Sequence, residues 1–310
     1  HRAVALAGPF EANQPTIVPS GSLHVAAALD VSPSMAAECY RDVLPVPTGP
    51  EGIKEVPIGP WGSRLQTAKW ILGEQMMKAL PGNKVSIGVF TAEPWPQAPL
   101  SEDYATLRLM LSDTGWMGIG SAPGGGSDYV QGLRLAIQQL REDYDPNKRQ
   151  IIVVFSDGGV SFADDEAKAK WQTDYVNTIA ELKALKAELI VVGLGNVAPQ
   201  QVPVYHPVTL QRVDWFPVGE EKKEQTALDE AALKKFAQDC GGKYVAVATD
   251  GDGALKVDWV NAVGGTKVTM GKKYWAPAPL LAAMFLLAVT MLRAVWRKSD
   301  EVSRYSVDTK

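Results

Sequence analysis

Cysteine is nearly absent: the 310 residues hold two, Cys39 and Cys240, far too few for a disulfide framework to carry the fold. An excess of charge of one sign is also lacking. The formal net charge is −4, which offers no basic face to a nucleic acid, so no nucleic-acid partner is expected. Histidine is confined to His1, His24 and His206. What remains is an ordinary globular composition, 46% hydrophobic and 21% charged, with enough chain for one large domain or two small ones. The chain opens on His1 rather than Met, and no signal peptide is visible, as expected of a processed or truncated N-terminus. Residues 1–20 read as a terminal segment whose start, HRAVALAGPF, is either the tail of an upstream apolar span or a frayed surface end.

Long hydrophobic runs are missing too, with one exception. Trp275 to Trp296 reads WAPAPLLAAMFLLAVTMLRAVW, with Arg293 as its only charge. As a helix it would extend about 32 Å, the thickness of a bilayer's hydrocarbon core. Tyr274 and Trp275 stand at one edge and Trp296 at the other, as in an interfacial aromatic belt, and Arg293 lies close enough to the end to snorkel. Pro277 and Pro279 fall in the first turn, which tolerates them. A transmembrane helix is therefore expected at residues 274–296, in contact with lipid, followed by a tail at 297–310. A buried core helix is the competing reading. Lys267, Lys272 and Lys273 precede the span, whereas Arg293, Arg297, Lys298 and Arg304 follow it; this slight excess puts the tail in the cytoplasm.

Residues 21–265 alternate apolar strands with amphipathic helices. Leu23–Leu29 (LHVAAAL), Val85–Thr91, Gln150–Phe155, Leu189–Leu194 and Lys243–Val247 have the continuous apolar character of strands buried on both faces. Helices are expected over residues 63–80, 127–143, 163–187 and 228–240, with a short one at 255–263. A further helix is capped by Ser101, with Glu102 and Asp103 in its first turn. Such alternation predicts an α/β fold, a doubly wound and mostly parallel sheet with helices on both faces. Ligands of such sheets sit beyond the carboxyl ends of the strands.

Three segments meet at that edge. The first strand runs into Asp30-Val31-Ser32-Pro33-Ser34-Met35, and the strand at 150–155 runs into Ser156-Asp157-Gly158-Gly159. Between them the loop Gly124-Gly125-Gly126 delivers Ser127 to the start of a helix. Two carboxylates, Asp30 and Asp157, and three hydroxyls, Ser32, Ser34 and Ser127, then converge on one point. Hard cations such as Mg²⁺ and Ca²⁺ take oxygen ligands of this kind. Because hydroxyls are neutral, the metal stays electrophilic and an open coordination position attracts a partner's carboxylate. Taken singly, each serine reads as a helix cap just as well.

At these residues the chain resembles the metal-ion-dependent adhesion site of von Willebrand factor A domains. The resemblance implies one divalent cation, Mg²⁺ or Ca²⁺, held by Asp30, Ser32, Ser34, Ser127 and Asp157; Ser127 stands where the family usually has threonine. Pro99-Leu100-Ser101, Arg64-Leu65 with Ala68-Lys69, and Leu228-Asp229 followed by Cys240-Gly241-Gly242-Lys243-Tyr244 resemble bacterial Bat-type proteins. Proteins of that type are encoded with MoxR-type AAA+ ATPases and carry the domain between inner-membrane spans, facing the periplasm. MxaC and MxaL, linked to methanol dehydrogenase maturation, belong to the same broad group. The resemblance implies a membrane-anchored interaction module whose protein client supplies an Asp or Glu to the metal, acting with such an ATPase in maturing a periplasmic enzyme.

Two stretches depart from the Bat-type pattern. Residues 36–62 insert a loop with Pro45, Pro47, Pro50, Pro57 and Pro60, and residues 196–226 form a second long loop. Both leave the edge that carries the proposed metal, which favours a role in partner recognition over disordered inserts. A metal-dependent hydrolase is the rival function, but a general base is required and both carboxylates are taken by the metal. His24 lies at the far end of the first strand, which argues against a Ser–His–Asp triad built on Ser34. Gly193-Leu194-Gly195 reads as a turn, and Asp250-Gly251-Asp252-Gly253 lacks the remaining ligands of a calcium loop. Cys39 and Cys240 fall on opposite sheet edges, roughly 20 Å apart, so two free thiols are expected.

Overall fold

The computed structural model describes residues 16–46, 61–112, 117–160, 164–206 and 211–267, with 162, 209, 289, 290 and 293 as single residues. The chain divides into two compact units, Thr16–Thr266 and a second made of His1–Pro15 with Lys267–Lys310. The span expected at 274–296 lies outside the described residues apart from 289, 290 and 293, which are helical. No helix among the described residues is long and apolar enough to cross a membrane.

Thr16–Thr266 is built on a six-stranded sheet. Its strands, in chain order, are β1 (Leu23–Asp30), β2 (Lys84–Phe90), β3 (Pro94–Ser101), β4 (Arg149–Ser156) and β5 (Glu188–Gly193). Four short strands follow in the 196–226 excursion: β6 (Gln200–Gln201), β7 (Pro203–Tyr205), β8 (Arg212–Trp215) and β9 (Gln225–Thr226). β10 (Lys243–Ala246) completes the sheet, whose spatial order is β10-β5-β4-β1-β2-β3. All neighbours are parallel except β3, which runs antiparallel to β2 at the edge. β3 does not stand out in the sequence because Pro94, Pro96 and Pro99 interrupt it. Proline cannot donate to a ladder, and an edge strand with one open side is where a sheet tolerates it.

Every residue of β1 is buried, because helices cover both faces of the sheet. Successive side chains of a strand point to opposite faces. Accordingly Leu23, Val25, Ala27 and Leu29 pack into one core with Leu65, Ile71, Leu72 and Met76, whereas Ala26 and Ala28 join Leu133, Ile137, Leu182 and Phe236 in the other. The first set of partners lies on α1 (residues 64–79), an α-helix at each end with a π-helical middle, Ile71–Met76. Side chains of α2 (Tyr104–Leu111) also join that face. The opposite face is covered by α3 (Tyr129–Glu142), α4 (Asp165–Leu185) and α5 (Glu230–Asp239). The short helix α6 (Trp259–Ala262) returns to the first face through Trp259.

Helix ends follow local chemistry more closely than the sequence reading allowed. Asp103 caps α2 by accepting from the Thr106 amide, and Ser101 only accepts from the Asp103 amide, so the expected cap is displaced by two residues. The excursion at 196–226 is not a bare loop. β6 pairs with β9 and β7 with β8, both antiparallel, which gives the rim a defined shape. Residues 47–60 of the first insert lie outside the described residues. Cys39 and Cys240 are both free thiols, and burial pushes that of Cys240 up to about 12.

Candidate metal site

Parallel register brings the chemistry to one edge. Leu29 pairs with Phe155 and Ser156 with Gly193, so β1, β4 and β5 end side by side and release Asp30, Asp157 and Leu194 at the same rim. Asp30 is fully buried there. One of its oxygens accepts from the Ser32 amide at 2.9 Å; the other accepts from the Ser127 hydroxyl at 2.7 Å and the Ser156 hydroxyl at 2.8 Å. Ser32 and Ser34 place their Oγ atoms 3.0 Å apart on the turn that follows. Asp157 accepts from Arg64 Nη1, and from Thr226 Oγ1 at 3.2 Å.

Capping, the bland explanation of these serines, is answered atom by atom. Asp128 caps α3, accepting from the Val130 amide, while Ser127 turns inward to Asp30. Ser32 precedes the short 3-10 helix Pro33–Ala36 without making a cap hydrogen bond. The glycine-rich loop is drawn over the site from behind: the Thr91 hydroxyl donates to the Pro123 carbonyl, and the Asp128 amide donates to the Thr91 carbonyl at 2.9 Å. Asp128 also accepts from the Trp171 indole at 2.9 Å, which ties the start of α3 to α4. Asp128→Ala should therefore lower stability by about 1–3 kcal/mol, from a lost cap and a half-buried indole N–H left without its acceptor. Cation affinity should not change, because Ser127 is set by Asp30. Urea unfolding beside a cation titration measures both; a large loss of affinity would return Ser127 to a capping role.

Burial pushes the Asp30 carboxyl up to about 6, the nearby Asp157 carboxylate adds to the shift, and the hydrogen bonds from Ser32 and Ser127 oppose it. Among the described residues Asp30 has no ion-pair partner. A buried carboxylate in that position lacks a counter-charge. The donors around it are hydroxyls, and no group of three or more His, Cys, Asp or Glu gathers among the described residues to hold a metal, so a cation here would depend on the hydroxyls as well. The residues thus fit a hard divalent cation, with Asp30, Ser32, Ser34 and Ser127 as the convergent oxygens and Asp157 beside them. Above these oxygens opens a cavity of about 470 Å³, floored by Ser32, Ser34 and Ser127 and walled by Val202, Phe216 and Thr226 of the excursion.

Residues 25–160 match the family model of the von Willebrand factor type A domain. Over that stretch the chain is similar to a von Willebrand factor type A domain. Solved structures agree on its fold. An aerotolerance-related membrane protein from Bacteroides fragilis, crystallised with multiple mutations to serine, superposes with a TM-score of 0.54 at 21% identity, over 73% of this chain and 92% of that one. The conserved hypothetical protein BatB from Bacteroides thetaiotaomicron gives a TM-score of 0.56, again at 21% identity, over 74% of this chain and 91% of its own. No curated protein matches the chain.

The five residues expected at the site, Asp30, Ser32, Ser34, Ser127 and Asp157, lie together at this rim. Three further side chains were missed. Ser156 was placed in the loop before Asp157 but not among the ligands; it is the last residue of β4 and donates its hydroxyl to Asp30. Arg64 opens α1 and is wholly buried, although an arginine at the start of a helix ordinarily faces water. Thr226 arrives from the excursion, and nothing near it in the sequence marks it. His24 is buried at the far end of β1, opposite Lys84 and Gln150, so it cannot reach Ser34 or Asp157.

Proposed function

We propose that this A domain is a cation-dependent protein-interaction module in which Asp30, Ser32, Ser34, Ser127 and Asp157 hold one Mg²⁺ or Ca²⁺. An open coordination position then receives an Asp or Glu of a protein client. The observation that supports this most is the arrangement around Asp30. Neutral hydroxyls are spent on a buried carboxylate with no ion-pair partner among the described residues, beneath an open cavity lined by Ser32, Ser34 and Ser127. A cation there supplies an electrophile for a carboxylate, and this chain's residues orient it and exclude water from one side. A hydrolase reading is weaker, since among the described residues no imidazole reaches the site and Asp157 is engaged by Arg64 and Thr226.

Specificity belongs to the rim. Beside the site cavity lies a second of about 480 Å³, mostly apolar, which shares the walls Pro33, Val202 and Phe216 and adds Ile119 and Val218 from the exposed surface. A client that anchors one carboxylate can lay neighbouring apolar side chains there, and such contacts choose among acidic partners. By analogy with Bat-type proteins, the client is a periplasmic enzyme matured with a MoxR-type AAA+ ATPase. In the same reading, residues 274–296 anchor the module in a bacterial inner membrane with its tail in the cytoplasm.

The test is capture from native membranes by tagged full-length chain. Client should be retained in Mg²⁺ and released by EDTA. Replacing residues 47–60 with a Gly/Ser linker of equal length should spare cation binding and reduce capture several-fold. A client that stays bound in EDTA ends the reading of a metal bridge.

A further inference from the structure

Among the described residues Arg64 is the one cationic side chain inside the site, and nothing in the A-domain ligand set calls for it. It is fully buried. Nη1 donates to Asp157, to Thr226 Oγ1 at 2.9 Å and to the Ser34 carbonyl at 3.3 Å, while Nε faces Cys39 Sγ at 3.3 Å. Cys39 in turn donates to Gln200 Oε1 at 2.9 Å, and Nη2 has no hydrogen-bond partner. Its seat is made by a residue without a side chain: a Cβ on Gly195, at φ +122°, would stand 2.5 Å from Arg64 Nε. A guanidinium fitted this closely against a ligand-loop carbonyl, a rim hydroxyl and an expected ligand carboxylate is part of the site.

We propose that Arg64 is a built-in counter-charge that lets the metal-free domain fold, weakens its hold on the cation and leaves the loaded site positive. The inference rests on the cation reading given under Proposed function. Asp30 and Asp157 against Arg64 leave the buried cluster one unit negative; a divalent cation turns it one unit positive. That surplus is what an incoming carboxylate neutralises. Cation and acidic partner therefore bind with mutual reinforcement, each raising the other's affinity by the same factor. Without the guanidinium the loaded site would be neutral, the cation would bind more tightly, and it would need the partner less.

The experiment titrates Mn²⁺ into wild type, Arg64→Gln and Arg64→Lys, by calorimetry and by thermal melts, in chloride and in acetate at equal ionic strength and corrected for acetate binding of the metal. Arg64→Gln should bind Mn²⁺ at least tenfold more tightly than wild type. Its melting point should rise more steeply with Mn²⁺, because the cation then supplies the missing charge. Acetate should improve Mn²⁺ affinity in wild type more than in Arg64→Gln, and Arg64→Lys should behave as wild type. A purely structural arginine would move affinity the other way, since a loosened site binds less. Folded Arg64→Gln with equal or weaker affinity overturns the proposal, and so does a variant that Mn²⁺ at no concentration restores to a cooperative melt. Absence of Mn²⁺ binding in all three folded proteins refutes the cation site itself. Binding by Arg64→Gln alone supports the counter-charge in its strongest form.

Discussion

Asp30→Asn should abolish cation binding while leaving the domain folded. The amide keeps the shape of the carboxylate and an oxygen for the Ser32 amide or the Ser127 and Ser156 hydroxyls, so the hydrogen bonds around it can be re-formed. What disappears is a wholly buried negative charge that its surroundings oppose, with Asp157 adding to the opposition. The metal-free variant should therefore melt at or above the wild-type temperature. The loaded state behaves in the opposite way. Wild type at a cation concentration one hundred times its Kd gains about 2.7 kcal/mol, a rise on the order of 5–10 °C for a domain this long. The variant should gain nothing. Calorimetry with Mg²⁺ and Ca²⁺, and paired melts with EDTA, read both halves of the statement. A variant that still gives the wild-type binding heat removes Asp30 from the ligand set.

Gly195→Ala should be strongly destabilising. At φ +122° the position is open to glycine and strained for any other residue. The added Cβ would also lie 2.5 Å from Nε and 2.8 Å from Cζ of Arg64, so the fully buried guanidinium would have to shift. If the guanidinium is pushed aside, Asp157 is left as a buried carboxylate with only Thr226 and the Gly159 amide near it. Removing one partner of a buried ion pair costs about 3–5 kcal/mol. A loss of that size lowers the melting temperature by roughly 10 °C in a chain of this length. Urea unfolding against wild type measures it, with m-values checked for two-state behaviour. A loss below about 1 kcal/mol would mean that Arg64 is not seated as tightly as its contacts imply.

Much of the site was legible because its parts are local. A run such as LHVAAALD can hardly be anything but a strand covered on both faces, and an aspartate at its end must emerge at the carboxyl edge. The same holds for QIIVVFS before Asp157. Parallel pairing then does the assembly, since every strand of a parallel sheet releases its next residue on the same side. Caps were less legible. Ser127 and Asp128 are adjacent and equally good caps by residue type, and only the position of Asp30 decides that Ser127 turns inward. The edge strand β3 was hidden because its prolines contradict strand propensity everywhere except at an edge, and being at an edge is a property of the sheet.

By itself the sequence determined the strand-and-helix alternation, the hydroxyls and carboxylates that meet at the rim, and the two unpaired cysteines. Each is written within a few residues as periodicity, turn chemistry or composition. Only the tertiary structure decided that Arg64 neutralises Asp157, 93 positions away, and that Thr226 completes the contact from 69 positions on the other side. Charge compensation acts through space over a few ångströms. In a sheet whose neighbouring strands are far apart in the chain, those ångströms separate residues that no local pattern connects.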